Sequence, residues 1–347
     1  MFPASEIPFF IPGALKAKST LTFGLKISLC ATLCYILYHA LDYPEISTSV
    51  TTVLVAGLTS TGAMKQKLAH RVAGAIVGGL ILGLGSIVFL FPQMDSITAL
   101  CGLMAAASFV AAWTAAGRRF AYIGLQIAFS FFAVTVATSS APTELAPARD
   151  RLVGVGLALA VMWFVFDQAW PVRTITLMRE ALASVLRGEA QLLSVAGVKV
   201  RPSDLSSRLD GLRHQVSARI AEIRILNEAE LYEFGLHHET HKTAGEIVLR
   251  AALSSSSLFW NELAVLEHNQ DGDLVSDDDL LQIRSVLAKR LETMADAVLE
   301  RKPVSAGDTV LEIAQLPPGS REAEYANTML AGYREVESIL LDLPTSA

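Results

Sequence analysis

Six long apolar stretches in the first half of the chain constrain its fold more than any other feature. They cover about 21–41, 46–63, 71–91, 96–116, 120–138 and 151–170. A bilayer core about 30 Å thick requires roughly 20 mostly apolar residues in a helix, because every backbone polar group must be satisfied internally. A run of hydroxyl residues dilutes the second stretch, but its short connectors and its neighbours favour counting it. We therefore predict a bundle of six transmembrane helices.

Charge separates the two halves of the chain. Residues 1–171 carry 10 Lys or Arg and 7 Asp or Glu, whereas residues 172–347 carry 18 and 27. We expect an N-terminal cytoplasmic segment over 1–20, a six-helix membrane domain over 21–171 and an acidic soluble domain over 172–347. The three cysteines lie in apolar stretches and imply no disulfide framework. The order of apolar and basic residues at the N-terminus does not fit a cleaved signal peptide.

The orientation follows from the basic residues near the ends of the spans. With the N-terminus inside, only Arg149 and Arg151 lie outside. Nine basic residues lie on the cytoplasmic side: Lys16, Lys18, Lys65, Lys67, Arg71, Arg118, Arg119, Arg173 and Arg179. We therefore expect both termini in the cytoplasm.

The second half has the period of amphipathic helices, with no competing strand alternation. The expected helices lie near 174–196, 203–234, 240–269, 277–301 and 321–342. One apolar stripe is formed by Leu205, Leu209, Leu212, Val216, Ile220, Ile223 and Leu226. The overall prediction is an all-α protein, with a six-span bundle followed by a cytoplasmic antiparallel helical bundle.

The third and sixth spans begin alike. Each opens with Arg-x-x-Gly, at Arg71 and at Arg151, and a tyrosine precedes each arginine by a similar interval, Tyr43 by 28 residues and Tyr122 by 29. One interpretation is a 3+3 inverted repeat, which would place the two arginines near opposite membrane faces. A chance match of a few residues is the other.

Ionisable or polar residues inside spans are costly and mark candidate sites. Lys26 lies in the first span, where it either lines a pathway or snorkels to the surface. Arg71 and Arg151 open helices, where the helix dipole reinforces their attraction for anions. The alternative is that they only set the topology and contact lipid headgroups. Gln126 suits either a substrate path or contact between helices. Asp150 and Asp167 are the candidate proton carriers, although both could be structural.

No phosphate-binding loop, dinucleotide fingerprint or nucleophile cluster marks an enzyme, and we expect no cofactor and no nucleic-acid partner. His237 and His241 share a helix face, with Glu233 one turn earlier. This set lacks the HExxH order and an obvious fourth ligand. A solvated helix end is therefore the favoured interpretation, and no metal is expected.

Four runs of the membrane half carry a family resemblance. They are LKISLCATLCYILYHALDYPEIST, STGAMKQKLAHRVAGAIVGG, RRFAYIGLQIAFSFF and ARDRLVGVGLALAVMWFVFDQAWP. In order and spacing they resemble the fusaric acid resistance and aromatic acid exporter family over residues 10–190. The family's basic signatures fall on Lys26, Lys67, Arg71, Arg149 and Arg151. Its aromatic-glycine-glutamine run falls on Tyr122, Gly124 and Gln126. Long family members carry two membrane halves, and this chain resembles the second.

The resemblance implies a bacterial inner-membrane efflux permease for small aromatic or organic anions, driven by the proton gradient. It also implies a periplasmic adaptor and an outer-membrane channel as partners. The half-size chain would pair with itself or with another half. Lys26, Arg71, Arg151, Tyr122 and Gln126 are then the expected substrate-binding residues. Two alternatives stay open: an accessory or scaffold subunit that does not transport, and a passive organic-anion channel.

Overall fold

The computed structural model describes residues 18–58, 60–117, 120–136, 146–195, 202–233, 238–268, 278–305 and 321–345. The chain divides into two compact units between Val172 and Arg173. The described residues are helical, without strands, as the all-α prediction requires. Arg118, Arg119, His237 and most of the predicted N-terminal segment lie outside the described residues.

The membrane unit contains six α-helices. They are α1 (Lys18–Ala40), α2 (Thr48–Ala56), α3 (Thr61–Gly74), α4 (Ile97–Ala116), α5 (Ala121–Thr135) and α6 (Ala146–Trp163). Among the described residues, four helical stretches are long and apolar enough to cross a membrane: Thr20–Ala40, Thr61–Gln93, Ile97–Ala116 and Arg149–Ala169. Helix α5 is apolar but shorter. The structure thus accounts for four of the six predicted spans.

The second predicted span, 46–63, is not one helix. Helix α2 has nine residues, which at 1.5 Å each is about 14 Å, half of a bilayer core. The chain leaves the helix at Gly57, and a new helix begins at Thr61 with Ser60 as its N-cap, whose side chain accepts a hydrogen bond from the Ala63 amide at 3.1 Å. The many hydroxyl residues of this stretch favour such caps and breaks over a continuous span.

The third span begins ten residues earlier than its hydropathy suggests. Helix α3 continues from Thr61 through π-helical turns, Ala75–Leu84 and Ser86–Leu90, and a final turn of 3₁₀-helix, Phe91–Gln93. Its first turns are polar, so they carry no hydropathy signal, although their backbone hydrogen bonds are the same. Arg71 therefore lies about 15 Å along the helix, and the prediction that it opens the span at a helix N-terminus is wrong.

Helix α5 packs closely on α3 and its π-helical continuation. A Cβ atom added at Gly78 would overlap the backbone of Ile127, and one at Gly74 would meet the side chain of Gln126. Glycine thus permits a backbone-to-backbone approach that no other residue fits. This contact brings the polar face of α5 beside the polar turns of α3.

The second unit, which we call the soluble unit after the sequence prediction, has five helices around one hydrophobic core among its described residues. They are α7 (Thr174–Val195), α8 (Pro202–Glu230), α9 (His238–His268), α10 (Asp278–Glu300) and α11 (Arg321–Leu341), each within a few residues of its predicted bounds. The predicted stripe of α8 is buried, with Leu205 partly so. Helix α7 packs against α8, α9 and α10, and α11 packs against α9 and α10.

Candidate functional site

Three cationic side chains of the membrane unit form what we call the cationic cluster: Lys67 and Arg71 on α3, and Arg151 on α6. The charges of Arg71 and Arg151 are near enough to repel each other, as are those of Lys67 and Arg71. Arg71 is 4% exposed. Its Nε atom, like that of Arg151, is buried without a hydrogen-bond partner.

The cluster has no acidic counter-ion among the described residues of the membrane unit. The ion pairs described there join other side chains, Lys65 with Asp167 at 2.9 Å and Arg149 with Asp150 at 2.8 Å. A buried charge without a partner costs several kcal/mol. The arrangement therefore favours a bound anion.

Helix α5 supplies polar groups beside the cluster. The Lys67 Nζ atom lies 5.3 Å from the centre of the Tyr122 ring, within cation–π range. The hydroxyls of Tyr122 and Ser130 are buried without hydrogen-bond partners. Gln126, one turn after Tyr122, is buried beside Gly74. These groups can donate hydrogen bonds to an anion or stack on an aromatic ring.

Arg151 also lines an open cleft of about 740 Å³. The cleft is lined by Tyr43, Glu45, Thr48, Ala133, Ala146, Arg149, Asp150 and Arg151. The Thr48 hydroxyl is buried without a partner, and the Arg151 guanidinium lies over the Phe129 ring at 4.7 Å. Arg151 thus lines the cleft and also lies near enough to Arg71 for their charges to repel each other.

The position of Arg151 differs from the prediction in two ways. Helix α6 begins at Ala146, so Arg151 lies more than one turn inside the helix. Arg71 and Arg151 were expected near opposite membrane faces, but they lie near enough for their charges to repel each other. Both differences arise because hydropathy does not detect polar helical turns at the ends of spans.

Lys26 has a different environment from the cationic cluster. Its side chain is 2% exposed, and Nζ donates a hydrogen bond of 2.6 Å to the carbonyl of Trp170. The same atom lies 5.5 Å from the ring centre of Phe166. A cation at the carbonyl end of a helix is favourable, so Lys26 stabilises the end of the sixth span. It does not snorkel outward.

Both predicted proton carriers are partnered. Asp150 accepts hydrogen bonds from the Tyr43 hydroxyl and from Arg149 Nε, the latter at 2.8 Å. Asp167 accepts a hydrogen bond from Lys65 Nζ at 2.9 Å. Protonation of either carboxyl would weaken these contacts.

The soluble unit holds a second group of buried ionisable residues, Glu230, Glu233 and His241. One ligand atom from each lies within 4.8 Å of the other two. Burial, together with the nearby charge of Glu233, raises the pKa of Glu230 to about 7. The predicted solvated helix end is therefore wrong, because α9 turns His241 towards the end of α8. The histidine spacing indicated His241, but nothing in the sequence indicated Glu230.

Comparison with a protein-family model matches part of the membrane unit. Residues 33–165 match the family described as fusaric acid resistance protein-like. The chain is 27% identical over 186 residues to the multidrug resistance protein MdtO of Shigella flexneri and to that of Escherichia coli strain K12. These alignments cover 53% of this chain and 27% of each relative.

The family resemblance predicted from the sequence is confirmed, and so is the membrane character of the first unit. The chain spans about a quarter of the length of the curated relatives that it matches. The roles of Lys26, Arg71, Arg151, Tyr122, Gln126, Asp150 and Asp167 stay predictions.

Proposed function

Because residues 33–165 match the fusaric acid resistance protein-like family, we propose that the chain is the inner-membrane permease subunit of an efflux system for small organic anions. The observation that carries this proposal is the cationic cluster. Arg71 is almost fully buried, it repels Arg151, and no acidic side chain among the described residues pairs with it. An anionic substrate would supply the missing counter-charge.

The surroundings of the cluster suit an aromatic carboxylate. A guanidinium binds a carboxylate through two parallel hydrogen bonds. The hydroxyl of Tyr122 and the amide of Gln126 offer further donors, and the ring of Tyr122 offers a stacking face. The 740 Å³ of the adjoining cleft lies within the usual volume of small-molecule sites. We propose Arg71, Arg151, Tyr122 and Gln126 as substrate-binding residues, and Lys26 as a positioning residue that holds the end of the sixth span.

The proton gradient is the proposed source of energy. Asp150 lies in the same cleft as Arg149 and Arg151, so a proton on its carboxyl changes the charge that an anion meets there. Asp167 is the second candidate, through its pair with Lys65. A group that gains a proton and thereby loses its partner can bias a transporter between two conformations.

We also propose that the chain functions with a second copy or with another half-size subunit, as the family resemblance implies. A periplasmic adaptor and an outer-membrane channel would complete the export route. We place both termini in the cytoplasm on the distribution of basic residues.

The test is accumulation of a labelled aromatic acid in cells with and without the chain, using a matched pair of variants. Arg71→Gln removes the charge and keeps much of the side-chain length, whereas Arg71→Lys keeps the charge. A lost hydrogen bond to a charged group costs about 1.5–3 kcal/mol, so export by Arg71→Gln should fall roughly 10- to 100-fold. Arg71→Lys should retain more activity, since its charge still attracts the anion.

Membrane insertion of each variant is checked by fractionation. Wild-type export by an inserted Arg71→Gln would remove the cationic cluster from the mechanism. No export by the inserted wild-type chain would favour the accessory role.

A further inference from the structure

The buried group at the end of α8 has the composition of a metal site. Glu230 is the last residue of α8, and the backbone turns so that the Glu233 amide donates to the Glu230 carbonyl at 2.9 Å. His241 approaches from the first turns of α9. The three side chains are 1%, 1% and 8% exposed, and one ligand atom of each lies within 4.8 Å of the other two.

The second observation is the state of the Glu230 carboxylate. Both of its oxygens are buried without a hydrogen-bond partner, and so is Oε1 of Glu233. The other Glu233 oxygen, Oε2, accepts a hydrogen bond from the Thr174 amide at 3.1 Å and so caps α7. The cation facing the group is Arg173, whose guanidinium lies 3.7 Å from Glu233 Oε1 and whose side chain is 43% exposed. A single exposed guanidinium balances only part of the negative charge of two buried carboxylates.

We propose that Glu230, Glu233 and His241 bind one divalent first-row transition metal ion, with Zn²⁺ the best match. One imidazole and two carboxylates are borderline ligands that suit Zn²⁺ better than Ca²⁺ or Mg²⁺, which prefer oxygen ligands alone. Metal–ligand bonds of about 2 Å place ligand atoms up to roughly 4 Å apart, so small side-chain movements close the site. Water would complete a tetrahedral shell.

The position of the site gives the metal a structural role. It would join the end of α8 to the start of α9 and, through the cap made by Glu233, to the first residue of α7. An ion bound only by the folded unit stabilises that unit by a free energy that grows with the logarithm of ion concentration over Kd. This proposal is independent of the function proposed for the membrane unit, because it uses none of the same residues.

The test uses the full-length chain in detergent, without a polyhistidine tag, stripped by a chelator and titrated with Zn²⁺. Glu230→Gln and His241→Asn remove ligands, while Glu228→Gln and His214→Asn are matched controls on exposed residues of α8. We expect the wild type and both controls to bind one more Zn²⁺ per chain than the ligand variants. Ligand variants should bind at least 10-fold more weakly.

A Co²⁺ spectrum of the wild type keeps the test decisive if a ligand variant fails to fold. Tetrahedral Co²⁺ absorbs strongly in the visible range, and added Zn²⁺ should abolish this absorption. Equal Zn²⁺ binding by the ligand variants and the wild type would overturn the proposal. Absence of the Co²⁺ spectrum would overturn it too, and would leave Glu230 as a protonated carboxylic acid beside Glu233.

Discussion

The stability of the soluble unit should depend on pH, because the unit contains a fully buried carboxyl group. Glu189 on α7 accepts a hydrogen bond from the Ser255 hydroxyl, while its other oxygen, Oε1, is buried without a partner. Burial raises the pKa of Glu189 to about 8, and the charge of Glu262 acts in the same direction. The folded unit therefore holds a proton that the unfolded chain releases near its ordinary pKa of about 4.5.

Stability should consequently fall as pH rises from about 4.5 to about 8. In this window the unfolded state loses the proton and the folded state retains it, so each pH unit favours unfolding by up to about 1.4 kcal/mol. Glu189→Gln, a neutral side chain of similar shape, should remove the share of this dependence that Glu189 contributes and raise the melting temperature at pH 8. The raised pKa of Glu230, about 7, leaves a smaller dependence below pH 7.

Thermal unfolding of the soluble unit at pH 5.5 and 8 measures the effect. The control is Glu180→Gln, an exposed residue of the same helix, which should behave like the wild type. A steep pH dependence that persists in Glu189→Gln would assign the effect to another group.

The sequence indicated single residues of the candidate site, but not which residues lie beside them in the structure. Arg71, Arg151 and Gln126 became candidates because charged and polar groups are rare within apolar spans, and Tyr122 became one through the family resemblance. Their grouping depends on the close contact of α3 with α5, and no local pattern encodes that distance. Glu230 was missed for the same reason, since an acidic residue at a helix end is ordinary until another helix covers it.

At the scale of helices, the contact between the third span and α5 depends on glycine. A methyl group at Gly78 would overlap the backbone of Ile127, while one at Gly85 would meet no atom within 4 Å. Gly78→Ala should therefore destabilise the membrane unit by about 1–3 kcal/mol, lowering its melting temperature by several degrees. Gly85→Ala is the matched control on the same helix.

Thermal stability of the detergent-solubilised protein, followed by its retention time on gel filtration, measures the difference. Gly78→Ala should also reduce export, since it separates Tyr122 and Gln126 from Arg71. A Gly78→Ala protein as stable and active as Gly85→Ala would show that the π-helical part of the third span and α5 are not in backbone contact.

Hydropathy predicted the presence of helices better than their ends. The amphipathic period gave the bounds of the five helices α7 to α11 to within four residues, because the apolar stripe of such a helix ends close to where the helix ends. Hydropathy misplaced the start of the third span and merged α2 with the break after it. Capping by Ser60 and the hydrogen bonds of polar helical turns decide these boundaries, and neither contributes to an apolar average.

For the whole molecule, composition alone separated an apolar half with few charges from an acidic half, and the fold has a boundary after Val172. Composition does not reveal the energy source for transport. The interior of a cell is electrically negative, so an anion that moves outward gains about 2.3 kcal/mol per charge at a membrane potential of 100 mV. This free energy is equivalent to a concentration gradient of about 50-fold. A passive channel could therefore export anions without proton coupling, and the two mechanisms must be separated by experiment.

Proteoliposomes that contain the chain and a labelled aromatic sulfonate make this separation. The sulfonate stays charged at all working pH values, so it does not cross the lipid as a neutral acid. If protons drive export, a pH gradient with acid outside should accelerate efflux when the membrane potential is clamped to zero. Asp150→Asn or Asp167→Asn should abolish that acceleration, because an amide cannot carry the proton. Asp95→Asn changes an exposed residue between helices and should preserve the acceleration.

Efflux that follows the membrane potential alone, in the wild type and in all three variants, would instead identify a passive anion channel. That outcome would retain the cationic cluster as the anion site and leave Asp150 and Asp167 as structural partners of Arg149 and Lys65.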